Sequence, residues 1–163
     1  LVGEGQLLIT NFIPILATNK QAKFDYEILE TFESGLVLSG QEVKSIRQGH
    51  ASLKGAYVTI DKNNGIFLIN ANIPAYKMTG NLIDYEPSRS RKLLLHKKEI
   101  SFLAGKLQQA GLTLVPLSLY TKGKKIKLEI GLAKGKKKID KRAQIKEREE
   151  KRKIQRLLKT KFR

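Results

Sequence analysis

Apolar and polar residues interleave from Tyr26 to Phe32, and most of the residue types there favour extended backbone, which predicts a strand. Glu33-Ser34-Gly35 reads as a turn, after which Leu36-Val37-Leu38 resumes an extended path and Ser39-Gly40 stops it. A short helix is predicted from Gln41 to Gln48, with Val43 and Ile46 inward, Lys44 and Arg47 outward, and Gly49 as its C-terminal stop. Ala56 to Asp61 and Gly65 to Asn70 flank Lys62-Asn63-Asn64 and predict a hairpin. Thr79 to Ser88 is a polar loop. The period turns helical from Leu93 to Ala110, where Ile100, Leu103, Leu107 and Ala110 share one face before Gly111. Leu112 to Tyr120 and Lys125 to Ala133 are two strands around Lys122-Gly123-Lys124.

Many short strands with two small helices predict a mainly β (α+β) body, a Greek-key or OB-like closed β-barrel with flanking helices rather than a βαβ sheet. Residues 1–18 stand apart. Leu7-Leu8-Ile9 and Phe12 to Leu16 faintly resemble a signal peptide, but no basic segment precedes them, and Asn11 and Pro14 interrupt the run. The chain opens on Leu1, which fits a truncated start, a non-standard start codon or an extension upstream of the true start. This segment is expected to be a disordered N-terminal extension without a function of its own. The body is expected to span 19–134, and a basic tail 135–163.

Charge sharpens that division. Thr121 to Arg163 holds 19 Lys/Arg and 5 Asp/Glu, a balance of +14. The preceding 120 residues hold 13 against 10, only +3 of the total +17. So concentrated a basic segment attracts polyanions, and nucleic acid is the strongest soluble candidate. Lys134-Gly135-Lys136-Lys137-Lys138 reads as a flexible basic linker. Beyond it the residues are good helix formers without Gly or Pro. Between Ala143 and Lys153 the aliphatic residues are only Ala143 and Ile145, too few to hold a packed helix unaided. The tail is therefore expected to be disordered when free and helical when bound.

Chemistry that needs particular residues is excluded in turn. The absence of cysteine removes disulfides, thiol catalysis and Cys-zinc sites, and suits a reducing cytosol. His50 and His96 lie too far apart in the chain for a His-rich metal site. No apolar run reaches the roughly 20 residues that span a bilayer. Hydrolase and phosphate-loop motifs are missing. Glu27, Glu30, Glu33 and Glu42 read as ordinary surface acids, and His96 as a structural or surface histidine. No enzyme activity, cofactor or metal is expected. Arg91 and Lys92, leading into Leu93-Leu94-Leu95, set cations beside apolar side chains, as suits phosphate and unstacked bases together. Lys122, Lys124, Lys125 and Lys127 sit on the last hairpin, where they could track a nucleic-acid backbone.

Several segments together resemble one family. They are Asp25-Tyr26 with Glu27 to Gly35; Gly40 to Arg47; Arg91 to His96; Leu117-Ser118-Leu119-Tyr120; Ile130 to Lys137; and Asp140-Lys141-Arg142 with Ile145 to Glu149. In order and spacing they are similar to the bacterial small protein B family of SsrA-RNA-binding (tmRNA-binding) proteins, from Asn19 to Arg163. The resemblance implies an OB-like barrel that is not an enzyme, is a monomer when free and is cytoplasmic. It implies binding to the tRNA-like domain of tmRNA and entry into ribosomes stalled on mRNA without a stop codon. There the tail contacts small-subunit ribosomal RNA in the decoding centre and empty mRNA channel. Carried over by motif, the RNA-binding positions are Glu33, Leu94 and Lys127; the reading of the residues themselves adds Arg91, Lys92 and Lys124. The decoding-centre and tail positions are Gly135, Lys136, Asp140, Lys141, Arg142, Leu157 and Leu158.

Three positions depart from the family pattern: Phe24 and Ile139 stand where members often carry histidine, and Glu150 replaces an aromatic found in some tails. The competing class is a ribosomal or ribosome-assembly protein with a basic extension into folded ribosomal RNA. Such extensions are usually depleted in acids, whereas Glu147, Glu149 and Glu150 are spaced to pair with Lys/Arg along a helix.

Overall fold

In the computed structural model, residues 13–76 and 85–161 are described. Seven strands form one antiparallel sheet: β1 (Ile15–Thr18), β2 (Tyr26–Leu36), β3 (Tyr57–Ile60), β4 (Ile66–Ile69), β5 (Arg91–Leu94), β6 (Leu112–Lys122) and β7 (Lys125–Gly135). The pairings close into a ring, β6 to β3, β4, β5, β2, β7 and back to β6, with β1 added along the far half of β6. Four helices decorate it: α1 (Lys20–Asp25), α2 (Gly40–Arg47), α3 (Lys97–Leu107) and α4 (Lys138–Lys161). The ring interior is the main core, built from inward residues such as Leu68, Leu93, Leu114, Leu128 and Ile130, with Ile46 of α2 and Leu103 of α3 packed in. A smaller core, Ala22 of α1 against Val115, Leu117 and Ala133, lies on strands β6 and β7.

Local sequence explains most of these elements. Ser39 and Glu42 form a capping box at the start of α2, and Gly49 leaves its end at φ +78°. Asn64 takes φ +58° between β3 and β4, as the hairpin expectation requires. Gly123 does the same between β6 and β7.

Other expectations change. β2 does not turn at Glu33-Ser34-Gly35. It runs straight through, because Ser34 is buried with its hydroxyl donating to Leu128 O at 3.0 Å, and Gly35 pairs with Lys127 on one side and Leu94 on the other. Here glycine serves close approach: a Cβ at 35 would sit 3.3 Å from Leu94 Cβ. The helix expected from Leu93 starts at Lys97, because Arg91 and Leu93 face inward while Lys92 and Leu94 face out. That is strand alternation. The helix also stops at Leu107, short of Ala110. Ile15–Thr18, assigned from sequence to the N-terminal extension, is paired as β1, and its first 12 residues lie outside the described ones. The basic linker is shorter than expected, since Lys134 and Gly135 still pair with Glu27 and Tyr26. Of the polar loop from Thr79 to Ser88, residues 79–84 lie outside the described residues.

The largest correction concerns Glu42 and Arg91. Both side chains are fully buried and meet at 2.8 Å, although Glu42 reads as a surface acid and Arg91 as an RNA-facing cation. Arg91 also donates to Ala71 O (2.7 Å), Pro87 O (2.8 Å) and Arg89 O (3.0 Å). Glu42 accepts from the Ser39 N–H and from Arg89 as well. Burial pushes the Glu42 carboxyl up, but the hydrogen bonds from Arg89, Ser39 N–H and Arg91 outweigh it and leave the group below its ordinary value. The pair's contribution is therefore complete above the ordinary carboxylate range and is lost as pH falls through the depressed value. Arg91→Met should lower unfolding stability by about 3–5 kcal/mol in denaturant titration, since it removes one partner of a buried carboxylate and the donor to the Ala71 and Pro87 carbonyls. Lys92→Met, one residue along and exposed, should stay within about 0.5 kcal/mol.

Candidate nucleic-acid interface

Four neighbouring strands bring their outward residues into one row. Tyr120 on β6 pairs with Lys127 on β7, Lys127 with Gly35 on β2, and Gly35 with Leu94 on β5. Glu33 lies two residues from Gly35, on the same face of β2. Glu33, Gly35, Leu94 and Lys127 line an open groove of about 740 Å³ together with Lys124, Val43 and His96, and Tyr120 reaches Glu33 from beside it. Leu94 is half-exposed in this groove, with its side chain lying over Gly35.

The polar centre of the groove is Glu33. Its carboxylate accepts from the Tyr120 hydroxyl at 2.7 Å and from Lys122 Nζ at 3.0 and 3.2 Å, and Lys127 Nζ stands 3.4 Å away. The hydrogen bond from Tyr120 leads in holding the Glu33 carboxyl at about 2, with the lysines adding to it. Burial and the bond to Glu33 push the Tyr120 phenol well above its ordinary value. The cluster thus presents a fixed anion between two cations, beside the exposed leucine. That set offers phosphate-seeking ammonium groups, a strong acceptor for base or ribose donors, and an apolar contact.

The structure thus gathers Glu33, Leu94, Lys124 and Lys127, which the sequence placed far apart. Lys92 is exposed on the outer face of β5, two residues before Leu94, but does not line the groove. Arg91 does not join them, being buried against Glu42. Tyr120 was missed as a site residue. Its alternation with buried Leu119 and its two-residue spacing from Lys122 put it on the lysine-bearing face, which is the signal that could have found it.

The second group lies at the opposite end of the β2–β7 ladder. From Lys127 to Gly135 the strand rises about 26 Å at 3.3 Å per residue. Gly135 pairs with Tyr26, Lys136 N–H donates to Asp25 O at 2.9 Å, and Lys136 Nζ to Lys23 O at 3.1 Å. Lys141 Nζ meets Asp25 Oδ1 at 2.7 Å. Asp140 and Arg142 are exposed beside it. Helix α4 then runs 24 residues, about 36 Å, to exposed Leu157 and Leu158. Ile139 is 76% exposed and Glu150 is exposed, so neither replacement disturbs a packed contact.

The family model described as SmpB protein matches residues 16–160. The chain belongs to the SmpB protein family. An SsrA-binding protein of Trichodesmium erythraeum is 49% identical over 157 residues, covering 96% of this chain and 96% of its own length. One from Thermosipho africanus is 51% identical over 146 residues, covering 89% of this chain and 97% of its own. A chain of the solved structure "tmRNA-SmpB: a journey to the center of the bacterial ribosome" is 44% identical, with a TM-score of 0.63 over 77% of this chain and 86% of its own. Among the described residues no helix is long and apolar enough to cross a membrane, and no group of His, Asp and Glu could hold a metal ion.

The Asp25–Lys141 contact ties the first turns of α4 to the body. The hydrogen bond from Lys141 holds the Asp25 carboxyl below its ordinary value. The tie is therefore intact above the carboxylate range and is lost as pH falls through the depressed value. Asp25→Asn should speed amide hydrogen exchange through the first two turns of α4. It should change global stability by less than about 1 kcal/mol, since the pair is partly exposed.

Proposed function

We propose that this chain binds the tRNA-like domain of tmRNA through the groove and carries it to ribosomes stalled on mRNA without a stop codon. Its tail then enters the decoding centre and the empty mRNA channel along small-subunit ribosomal RNA. The protein acts without catalysis or cofactor, as a monomer in the cytoplasm. The observation that carries this reading is the convergence of Glu33, Leu94 and Lys127 from three strands on one groove, far from the root of the tail. A surface of this kind reads the shape of an RNA elbow more than its base sequence.

The tail's role follows from its composition and exposure. α4 buries almost nothing against the body, so its order away from RNA rests on weak local pairs such as Glu147–Lys151 at 2.6 Å. It is disordered for much of the time when free and becomes a stable helix on the ribosome. Gly135 and Lys136 give it its direction, and Asp140, Lys141 and Arg142 meet the decoding centre. Leu157 and Leu158 anchor the far end.

Lys127→Ala should weaken binding to the isolated tRNA-like domain and flatten its salt slope by about 0.7 to 0.9, as one lost phosphate contact does. Leu94→Ala should weaken binding with the slope unchanged. Unaltered affinity in both variants would remove the groove from the account. A chain ending at Lys138 should keep near-normal binding to the tRNA-like domain yet fail to tag a stalled nascent chain. Leu157→Asp with Leu158→Asp should do the same, although no basic residue is lost. Tagging that survives scrambling of residues 139–163 would reduce the tail to nonspecific charge. Stoichiometric presence in all ribosomes would favour the ribosome-assembly class instead.

A further inference from the structure

Lys127 within the groove and Lys122 beside it are the natural phosphate contacts of this surface, yet in this structure both already face an anion. Glu33 stands between them, so the three groups carry a net charge of +1 rather than +2. Flexible lysines alone do not fix a carboxylate: Lys122 is 62% exposed and free to swing. The fixed donor is the Tyr120 hydroxyl, at 2.7 Å, on a strand paired directly to Lys127. The other nearby anion, Glu129, pairs across the ladder with Glu33 and is engaged by the Ser118 hydroxyl at 2.9 Å.

We propose that Tyr120 and Glu33 form a selectivity device in the groove, with Tyr120 as the positioning residue that holds the carboxylate where it masks both lysines from generic phosphate. This rests on the reading of the groove as an RNA-binding surface. A phosphate approaching alone meets two occupied cations and a repelling anion. Its gain is small, because it exchanges one acceptor for another. RNA that sets a donor against Glu33, a base N–H or a ribose 2′-hydroxyl, satisfies the carboxylate and releases Lys122 and Lys127 to the flanking phosphates. The anion thus discriminates against the wrong RNA rather than adding affinity for every RNA.

The test measures binding of the full chain to the isolated tRNA-like domain and to a generic RNA hairpin of equal length, across a salt series. Glu33→Gln should tighten binding to the hairpin and steepen its salt slope by about 0.7 to 0.9 for each lysine unmasked. Binding to the tRNA-like domain should hold or weaken, so that the ratio of the two affinities falls by about tenfold or more, the worth of one charged hydrogen bond. Tyr120→Phe should lower the ratio in the same direction by a smaller factor. It should also move the NMR titration midpoint of the Glu33 carboxyl carbon upward from about 2. A purely structural tyrosine would alter melting but neither readout. If the unaltered chain binds both RNAs equally, the reading of the groove fails and this inference with it. If the unaltered chain discriminates and Glu33→Gln keeps the full ratio, or weakens both RNAs alike, the selectivity device alone is overturned.

Discussion

The buried Glu42–Arg91 pair holds together parts of the chain that nothing local would join. Glu42 caps α2, and Arg91 opens β5 and gathers the carbonyls of Ala71, Pro87 and Arg89. A buried ion pair is stable only when its remaining donors and acceptors are met; here backbone carbonyls accept from Arg91, and the Ser39 N–H and Arg89 donate to Glu42. The pair also sets the register of β5. With Arg91 inward, alternation sends Leu93 into the core and Leu94 out over Gly35. The exposed leucine of the groove is placed by a charge pair that never touches solvent.

The other organising element is the long β2–β7 ladder. One end carries Gly35 and Lys127, and the other carries Tyr26 and Gly135. The ladder keeps the groove and the root of the tail about 26 Å apart. The cost of that design is borne by glycine. Gly35 lets Leu94 approach, and Gly131 leaves room for Leu117 and Ile28, which a Cβ would meet at 3.1 and 3.2 Å. Side-chain packing, not turn chemistry, explains both.

Elements defined by neighbours in sequence were legible: the capped α2, the β3–β4 hairpin with Asn64, and the β6–β7 hairpin at Gly123. So was the family, from its motifs. What failed depends on distant partners. Ser34 and Gly35 look like turn residues until Leu128 and Leu94 are brought beside them. Arg91 to Leu95 fits a helix start as well as a strand, and only pairing with Leu36 and Phe67 decides it. Glu42 and Arg91 are 49 residues apart, and Tyr120 and Glu33 are 87 apart. Composition offers no hint that these charges are matched, so the sequence alone makes two surface groups of one buried pair and gives no role to the tyrosine that binds Glu33.

The central claim is that the groove, and not the tail, receives the tRNA-like domain. Backbone amide NMR shifts of the full chain, followed as that RNA domain is added, test it most directly. The account predicts perturbations centred on Gly35, Leu94, Tyr120 and Lys127, with Tyr26, Gly135 and the length of α4 little changed. Perturbations concentrated in α4, with those four amides unmoved, would contradict it.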